Sequence, residues 1–599
     1  METNQKSISI GGSFIVKESN PNEVFTPEDF TEEHKMMKDS VIDFVDREII
    51  PKRQRFEKKD YKLTKEVMSK IGELGFLGVS VPEQYGGLGM GFVSSMLVCD
   101  YISAGSGSVS TAFGAHTGIG ILPIVLYGTE EQKQKYLPNL ASGKWIGSYC
   151  LTEPGSGSDA NSGKTKAVLS DDGTHYKISG QKMWISNAGF ASLFIVFARI
   201  EDDKNITSFL VPSEPSNGIT LGDEENKLGI HSSSTRQVFF NETKVPINNV
   251  LGKRQQGFKI AMNALNVGRV KLGVACLEAQ RRVITEAVKY SNERIQFKSP
   301  ISSFGAIKEK ISQMSTSCYI GESACYRAAK DIENRTEFFL NEGMSHQESE
   351  LKGVEDFAIE CSLIKIGISE DLQNCTDEGI QIFGGMGFSA EAPMESAWRD
   401  ARIGRIYEGT NEINRMLSVG MLLKKGMKGQ ISLMEAVMNA KSELLKNLDE
   451  KNQTTNLMSS ETKLVINLKK IFLILIGKAV ERYGQGLDKK QQLLISLSDI
   501  LVEIYLIDSG LKRTIKNINR SDKESQSSQI KMTQLYLHEA NEIIQKKSKD
   551  IIYSISEGDE KSELLELVKK TCDYKSCPNI FDLKNKIADN VINENKYCF

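Results

Sequence analysis

The chain has 599 residues, too many for one hydrophobic core, and at roughly 100–200 residues per domain it predicts three to five domains. Its 75 Lys and Arg residues nearly balance 78 Asp and Glu residues, so no overall positive field favours a phosphate backbone, and we expect no nucleic-acid partner. A hydrophobic content of 40% and a charged content of 26% exclude a disordered or collagen-like chain.

The sequence indicates neither a metal site nor export. Seven of the ten cysteines stand singly among apolar residues, as reduced core thiols do, and no histidine pairs with another histidine or a cysteine at metal-ligand spacing. No apolar stretch approaches the roughly 20 residues that span a bilayer, and the N-terminus lacks the pattern of a secretory signal. We therefore expect a cytoplasmic protein without a metal.

The first part of the chain is helical in pattern. Residues 1–24 are polar and aperiodic, which predicts a loose N-terminal arm. Thr26-Pro27-Glu28-Asp29 then has the hydroxyl, the proline and the acids that begin a helix. Apolar residues recur at helical spacing through residues 25–146, which we take as an N-terminal helical domain.

The period changes in residues 147–255. Short runs rich in β-branched and aromatic residues, separated by turn residues, occupy 165–169, 175–178, 193–198 and 207–211. This pattern predicts a small antiparallel β-barrel or sandwich. The helical period returns in residues 256–425, which predicts a helix bundle.

Residues 426–599 form a further helical block, for which two interpretations are open. The first is an appended helical domain that packs on the bundle. The second is a basic amphipathic helix in weak peripheral contact with a membrane, because Lys463, Lys469, Lys470 and Lys478 flank the apolar run Ile471–Ile476.

Two glycine-rich stretches imitate nucleotide-binding motifs. Gly157 to Thr165 resembles a P-loop, but five residues separate its glycines where four are needed. Gly385 to Ala390 fits a relaxed dinucleotide fingerprint, although a helical pattern precedes it where a strand is required. A nucleotide hydrolase or an NAD enzyme would rest on these stretches alone, and a turn that closes a helix is the structural alternative for the second.

Five motifs in a fixed order carry more information than any one of them. They are Thr152–Asp159, Lys182–Asn187, Gln381–Phe388, Arg399-Asp400 and Arg405–Thr410. In this order, from about residue 25 to 425, the chain resembles the acyl-CoA dehydrogenase family, and its C-terminal block resembles the very-long-chain branch. The resemblance implies a mainly α fold with a helical domain, a central β-barrel and a four-helix bundle, plus an extra C-terminal helical domain.

The family resemblance implies FAD-dependent α,β-dehydrogenation of long-chain acyl-CoA thioesters to trans-2-enoyl-CoA, as in fatty acid β-oxidation. Glu408, in Tyr-Glu-Gly-Thr, stands at the position of the base that takes the α-proton while the flavin takes the β-hydride. Electrons would pass to an electron-transferring flavoprotein. The C-terminal block would cover the surface by which four-subunit relatives associate, which predicts a homodimer. An acyl-CoA oxidase and a fold-retaining assembly or binding protein remain as alternatives.

The resemblance also assigns binding residues. Positions matching flavin contacts are Tyr149, Leu151, Thr152, Ser158, Trp184 and Ser186 around the ring, Arg294, Gln296 and Phe297 at the pyrophosphate, and Thr410 and Glu412 at the nucleotide end. Gln381, Gly384 and Gly385 match the segment that reaches the adenosine half from a neighbouring subunit. Substrate positions are Ser158, Arg269, Tyr407 and Gly409.

Ser110 and Gly114 lie four residues apart and so on one helix face. Medium-chain members of the family carry larger polar residues there, so these small residues predict an open pocket floor and a long-chain substrate. The alternative is that Gly114 merely eases helix packing. Two positions depart from the family pattern: Ser396 and His231 stand where a Lys or Arg is usual, which affects the contacts expected with substrate or subunit neighbours.

Overall fold

The computed structural model describes residues 8–449, 457–520 and 527–599. The N-terminal helices are α1 (Glu32–Glu48), α2 (Arg53–Glu57), α3 (Tyr61–Glu73), α4 (Phe92–Ile102), α5 (Gly107–Gly114), α6 (Leu122–Tyr127) and α7 (Glu130–Ala141). A π-helical stretch, Ala115–Ile121, joins α5 to α6. The helix predicted from Thr26 begins later than expected: Pro27–Asp29 form one 3-10 turn, Phe30 is extended, and Thr31 caps α1 by accepting from the His34 N–H.

The N-terminal arm is packed over its described residues, so the prediction of a loose arm is wrong for residues 8–24. Phe14 and Ile15 are buried, and the Phe14 ring meets the Tyr505 ring edge-on at 4.9 Å. The Gly12 N–H donates to Glu360 Oε1 at 2.6 Å. These two adjacent apolar side chains help to anchor the arm, because each buries most of its surface in the core.

The middle of the chain forms an eight-stranded sheet. Its strands are β1 (Gly147–Cys150), β2 (Lys166–Leu169), β3 (His175–Ser186), β4 (Leu193–Ile200), β5 (Thr207–Pro212), β6 (Ile219–Leu221), β7 (Thr235–Pro246) and β8 (Val250–Leu251). The pairing order is β6-β7-β3-β2-β4-β5-β8, with β1 parallel to β4. Side chains such as Ile178, Phe194, Phe209 and Val238 fill one apolar cluster within it. Among the described residues the outer strands β6 and β8 do not pair, so the hydrogen-bonded ladder is open.

The helix bundle follows the sheet. It contains α8 (Gly257–Glu293), α9 (Gly305–Asn341), α10 (His346–Asp356), α11 (Ala358–Phe383), α12 (Met394–Ala401) and α13 (Asn411–Met427). A hairpin of β9 (Ile295–Gln296) and β10 (Ser299–Pro300) joins α8 to α9. Helices α8 and α11 approach closely, since a Cβ added at Gly273 would lie 2.3 Å from the Ile364 side chain.

Further helices complete the chain, and with them the predicted fold class is confirmed. They are α14 (Leu433–Asp449), α15 (Ser459–Tyr483), α16 (Gln491–Arg520), α17 (Ser527–Ile555), α18 (Gly558–Thr571) and α19 (Ile580–Glu594). Helix α16 packs against α9, α11 and α13 of the bundle. The C-terminal block is therefore an appended domain that shares the core of the bundle.

The apolar run Ile471–Ile476 faces this shared core, where every one of its side chains is buried. Lys469 lies between Glu18 and Asp508 at 2.6 and 2.8 Å, and Lys478 contacts Glu560 at 2.7 Å. Neither the apolar side chains nor Lys469 are free to face a bilayer. The interpretation of this run as a helix lying on a membrane is therefore not supported.

The expectation that no stretch approaches the length of a membrane span is wrong: within the described residues, two helical stretches are long and apolar enough by length and composition alone, Gly107–Tyr127 and Gly257–Glu293. Their apolar windows are 78% and 83% buried inside the protein, as in core helices.

We predict that Phe14→Ala destabilises the protein by about 3–5 kcal/mol, because it removes a buried aromatic ring and leaves a cavity against Tyr505. Thermal and chemical unfolding would measure the loss. Met427→Ala, at a side chain that is 76% exposed, is the control and should leave the free energy of unfolding nearly unchanged. Equal effects of the two changes would contradict a packed arm.

Candidate active site

One large cavity, of about 1660 Å³, lies where the sheet meets the bundle. Ligand pockets usually measure about 300–1,000 Å³, so this cavity has room for two bound molecules. It brings together thirteen of the predicted site residues: Ser110, Gly114, Tyr149, Leu151, Thr152, Ser158, Trp184, Ser186, Arg269, Tyr407, Glu408, Gly409 and Thr410.

Glu408 has a backbone conformation that side chains rarely adopt, with φ at 60°. Such a conformation costs about 1–3 kcal/mol and persists only where neighbouring groups impose it. Asn414 Nδ2 donates to the carbonyl oxygens of Gly409 and Thr410 at 2.8 and 3.1 Å, and Arg269 Nε donates to the Glu408 carbonyl at 3.2 Å. Gly409, with φ at 79°, supplies the next left-handed residue, a conformation that favours glycine.

The helix after this turn begins as its sequence predicts. Thr410 is the N-cap of α13, and its Oγ1 accepts from the Ile413 N–H at 3.3 Å. The cap fixes where the helix starts, and so helps to fix the turn that carries Glu408.

The Glu408 carboxyl group points at a place that only a glycine leaves open. A Cβ added at Gly268 of α8 would lie 2.5 Å from Glu408 Oε2. That oxygen is buried and has no hydrogen-bond partner within the described residues. Burial raises the pKa of Glu408 to about 7, although the charges of Arg269 and Lys365 act to lower it. The result is a buried carboxyl group that exchanges a proton near neutral pH.

Lys365, on α11, holds the same turn from the opposite helix. Its Nζ donates to the Gly409 carbonyl at 2.8 Å and to Asn411 Oδ1 at 2.5 Å. Burial lowers the pKa of Lys365 to about 7, and the charge of Glu408 opposes this shift. Lys365 therefore both positions the turn and acts electrostatically on Glu408.

On the sheet side, the glycine-rich segment after Thr152 closes on a buried ion pair. Glu153 contacts Lys182 Nζ at 2.7 Å and accepts from the backbone N–H groups of Lys164 and Thr165 at 2.5 and 3.0 Å. In the segment that resembles a P-loop, these backbone N–H groups therefore donate to a carboxylate of the same chain. Glycines 155 and 157 face open space, since a Cβ at either would meet nothing within 4 Å.

Strand β3 ends at the cavity wall with aromatic and polar groups. Trp184 has φ at 59° and its side chain is 53% exposed. Asn187 Nδ2 donates to the Ala112 carbonyl at 3.0 Å, which ties the end of β3 to α5. The Tyr149 hydroxyl, on β1, is buried and lacks a partner among the described residues.

Seven predicted cofactor residues lie outside this cavity: Arg294, Gln296, Phe297, Gln381, Gly384, Gly385 and Glu412. Phe297 is 90% exposed, in the turn that connects β9 to β10. Gly384–Phe388 form a 3-10 turn directly after α11, so a helix and not a strand precedes the dinucleotide-like motif. The structure thus favours the helix-closing turn for that motif.

Ser110 and Gly114 both line the cavity, from α5. A Cβ added at Gly114 would meet nothing within 4 Å. Since no element packs against this glycine, the alternative that it eases helix packing has no support in the structure.

The two departures from the family pattern have local partners. The Ser396 hydroxyl is buried and donates to the Pro393 carbonyl at 3.0 Å. His231 Nδ1 lies 3.3 Å from Glu57 Oε2, which also contacts Arg399 at 2.6 Å.

Sequence reasoning missed Gly268, Lys365, Asn411 and Asn414. A lysine in the apolar run of α11 was a usable signal, because an unpaired lysine is rarely buried. Nothing in the sequence marks Gly268, because it faces Glu408 only in the folded chain and the two residues are 140 positions apart in the sequence.

The comparisons with known proteins agree with this geometry. The sequence matches the acyl-CoA dehydrogenase N-terminal domain over residues 31–144, the middle domain over 148–243, and two C-terminal domain families over 255–422 and 467–570. It is 40% identical to a probable acyl-CoA dehydrogenase of Bacillus subtilis over 98% of both chains. It is 33% identical to the rat very long-chain specific acyl-CoA dehydrogenase, over 76% of this chain and 71% of that protein.

A crystal structure from Bacillus anthracis, described as an acyl-CoA dehydrogenase complexed with FAD, superposes with a TM-score of 0.96 at 39% identity. The match covers 99% of this chain and all of that one. The matches cover nearly the whole length of the chain, and they agree with the buried glutamate in the cavity between the sheet and the bundle. The chain therefore belongs to the acyl-CoA dehydrogenase family.

Proposed function

We propose that this protein dehydrogenates long-chain acyl-CoA thioesters between the α- and β-carbons and that FAD is its cofactor. The observation that carries the proposal is Glu408, a buried carboxyl group with a raised pKa at a cavity large enough for a flavin and a thioester. The relatives that match over nearly the whole chain support the same activity.

The residues of the cavity fit a flavin. Trp184 and Tyr149 offer aromatic surface, and Gly157 leaves room for close approach of a ligand to the backbone. The unpartnered Tyr149 hydroxyl is a free hydrogen-bonding group in the wall. Tyr149, Leu151, Thr152, Ser158, Trp184, Ser186 and Thr410 would hold the cofactor from this chain. FAD, when bound, supplies an acceptor for the hydride that leaves the β-carbon.

Glu408 takes the α-proton of the thioester. This proton is weakly acidic, so the base works best with a pKa near the working pH, and burial provides that match. As the family resemblance implies, the Glu408 backbone N–H would donate to the thioester oxygen as negative charge develops on it. A donor of this kind contributes about 2.7–4 kcal/mol to stabilising the transition state. Arg269 and Lys365 keep enough positive charge nearby for the carboxylate form to remain accessible.

Electrons then pass to an electron-transferring flavoprotein, in keeping with the family. An acyl-CoA oxidase is the competing activity, and it would release hydrogen peroxide during turnover in air. We also propose a homodimer. Gln381, Gly384 and Gly385, which lie outside the cavity, would then serve the cofactor of the second copy, as the family resemblance implies.

The first test is the visible spectrum of the purified protein under anaerobic conditions. We expect a yellow protein that palmitoyl-CoA bleaches and butyryl-CoA does not. Glu408→Gln should keep FAD and still bind the thioester, but bleach at least about a thousandfold more slowly, because the amide accepts no proton. Bleaching at the normal rate by Glu408→Gln would contradict the role of this residue, and a protein that binds no FAD would contradict the function.

The pH dependence of flavin reduction tests the base directly. Only the carboxylate accepts a proton, so the rate should rise through an inflection near pH 7 and be lost as the pH falls below it. Lys365→Met removes a charge that lowers the pKa of Glu408 and should move the inflection to higher pH. Lys365→Arg keeps the charge and is the control. Stopped-flow reduction at a series of pH values measures all three, and a flat profile would count against the assignment.

Gly114→Gln tests the pocket floor. The glutamine side chain fills open space in the cavity, so kcat/KM for palmitoyl-CoA should fall by about tenfold or more while that for octanoyl-CoA is retained. Gly305→Gln is the matched control, because a Cβ there also meets nothing and the residue lies outside the cavity. An equal loss with both thioesters would remove Gly114 from the chain-length argument.

Light scattering should give the mass of two chains in solution, and a tetramer would refute the homodimer. Arg294→Ala should lower the FAD content although Arg294 lies outside the cavity of its own chain. Arg47→Ala, at an exposed residue paired with Asp43, is the control and should leave the FAD content unchanged.

A further inference from the structure

A buried lysine that the reaction does not use forms part of the cavity wall. Lys271 lies on α8, is 6% exposed and lines the cavity. Its Nζ donates to Thr117 Oγ1 at 3.1 Å, and the Thr117 hydroxyl in turn donates to the Phe113 carbonyl at 2.9 Å.

Among the described residues, most of the other buried lysines form an ion pair with a carboxylate, and Lys271 does not. Lys365 also forms no ion pair, but the charge of Glu408 acts on it. Lys182 pairs with Glu153 at 2.7 Å, and Lys469 and Lys512 pair with Asp508 at 2.8 and 2.6 Å. Within the described part of the chain, no acidic side chain lies within ion-pair distance of Lys271.

The electrostatic surroundings agree with the geometry. Burial lowers the pKa of Lys271, and among the described residues the Cys99 thiol is the one group that opposes this shift. Burial raises the pKa of Cys99 itself to about 11, so at neutral pH this thiol provides no negative charge. An ammonium group without a counter-ion is costly to keep in a protein interior.

The position of Lys271 relates it to the acyl chain. It lies three residues after Gly268, the glycine that faces the Glu408 carboxyl group, and so about one turn further along α8. Its side chain reaches Thr117 and Gly118, whose Cβ position lies 3.6 Å from Lys271 Cδ. These two residues follow Gly114 by one turn, in the same helical stretch that forms the pocket floor.

We propose that Lys271 is a specificity residue that binds an ionised carboxylate on the distal part of the acyl chain. The protein would then accept CoA monothioesters of dicarboxylic acids as well as plain fatty acyl-CoA. The inference rests on the proposed function, since it assigns a further substrate class to the same cavity.

A distal carboxylate supplies what this site lacks. It provides the counter-ion for the ammonium group and forms a charge-assisted hydrogen bond with it, inside a cavity where such bonds are strong. A methylene chain of the same length offers no acceptor and leaves the ammonium group with Thr117 alone. The preference therefore depends on how far the carboxylate lies from the thioester.

The experiment measures binding without turnover, in a Glu408→Gln background loaded with FAD. Thioesters of octanoic, dodecanoic and hexadecanoic acids are paired with those of the dicarboxylic acids of equal length. The shift of the flavin spectrum gives each Kd. Adding Lys271→Met should weaken binding of the dicarboxylic thioester of the fitting length at least tenfold, while the plain thioesters bind equally well or more tightly. Lys259→Met, on the same helix but exposed and outside the cavity, should change none of the values.

Equal changes for both members of every pair, or no change for any dicarboxylic thioester, would overturn the proposal. If Lys271→Met does not fold or retain FAD, Lys271→Gln removes the charge while keeping a donor for Thr117, and the same ratios decide. The two hypotheses fail separately. When palmitoyl-CoA bleaches the native protein but the ratios do not depend on Lys271, only this inference is lost; when palmitoyl-CoA fails to bleach it, the proposed function is lost.

Discussion

The site depends on one strained turn that three side chains hold in place. Glu408 has a positive φ, and the carbonyl groups of this turn are captured by donors from three helices: Arg269 on α8, Lys365 on α11 and Asn414 on α13. Hydrogen bonds from charged groups contribute about 1.5–3 kcal/mol each, which is enough to offset the cost of the conformation. The position of the carboxyl group therefore follows from the packing of the bundle, and any change that separates these helices would displace Glu408.

Two of the same donors also set the pKa of the Glu408 carboxyl group. Burial alone favours the neutral acid, whereas the charges of Arg269 and Lys365 favour the carboxylate, and the balance leaves the pKa of Glu408 at about 7. Arg269 and Lys365 thus hold the backbone of the turn and also lower the pKa of Glu408. Neither forms a salt bridge with the carboxylate, which would lower its pKa further and make it a weaker base. Lys271 shows the opposite situation on the same helix, a buried cation without an acid beside it. The cations near Glu408 face a carboxyl group, whereas Lys271 does not.

Much of the architecture was predictable because it depends on local pattern. A short stretch of sequence is enough to predict the change from helical to β period, the N-cap at Thr410 and the glycine after Glu408. The packed arm was not, because Phe14 finds its partner Tyr505 almost 500 residues away in the sequence. Gly268 and Lys365 were not predicted for the same reason. Each acts on Glu408 from another helix, and sequence periodicity does not show which helices pack together.

The appended domain has a part in this arrangement, although its own helices lie outside the cavity. Helix α11 carries Lys365, and α16 packs on the opposite side of α11, where a Cβ at Gly367 would lie 2.9 Å from Leu506. The arm reaches the same helix through Gly12 and Glu360. Arg415 of α13 bridges Glu370 of α11 and Asp499 of α16 at 2.8 and 2.7 Å. Because α11 and α13, two of the three helices that donate to the Glu408 turn, are fixed to α16, the C-terminal domain helps to hold the Glu408 carboxyl group in its place.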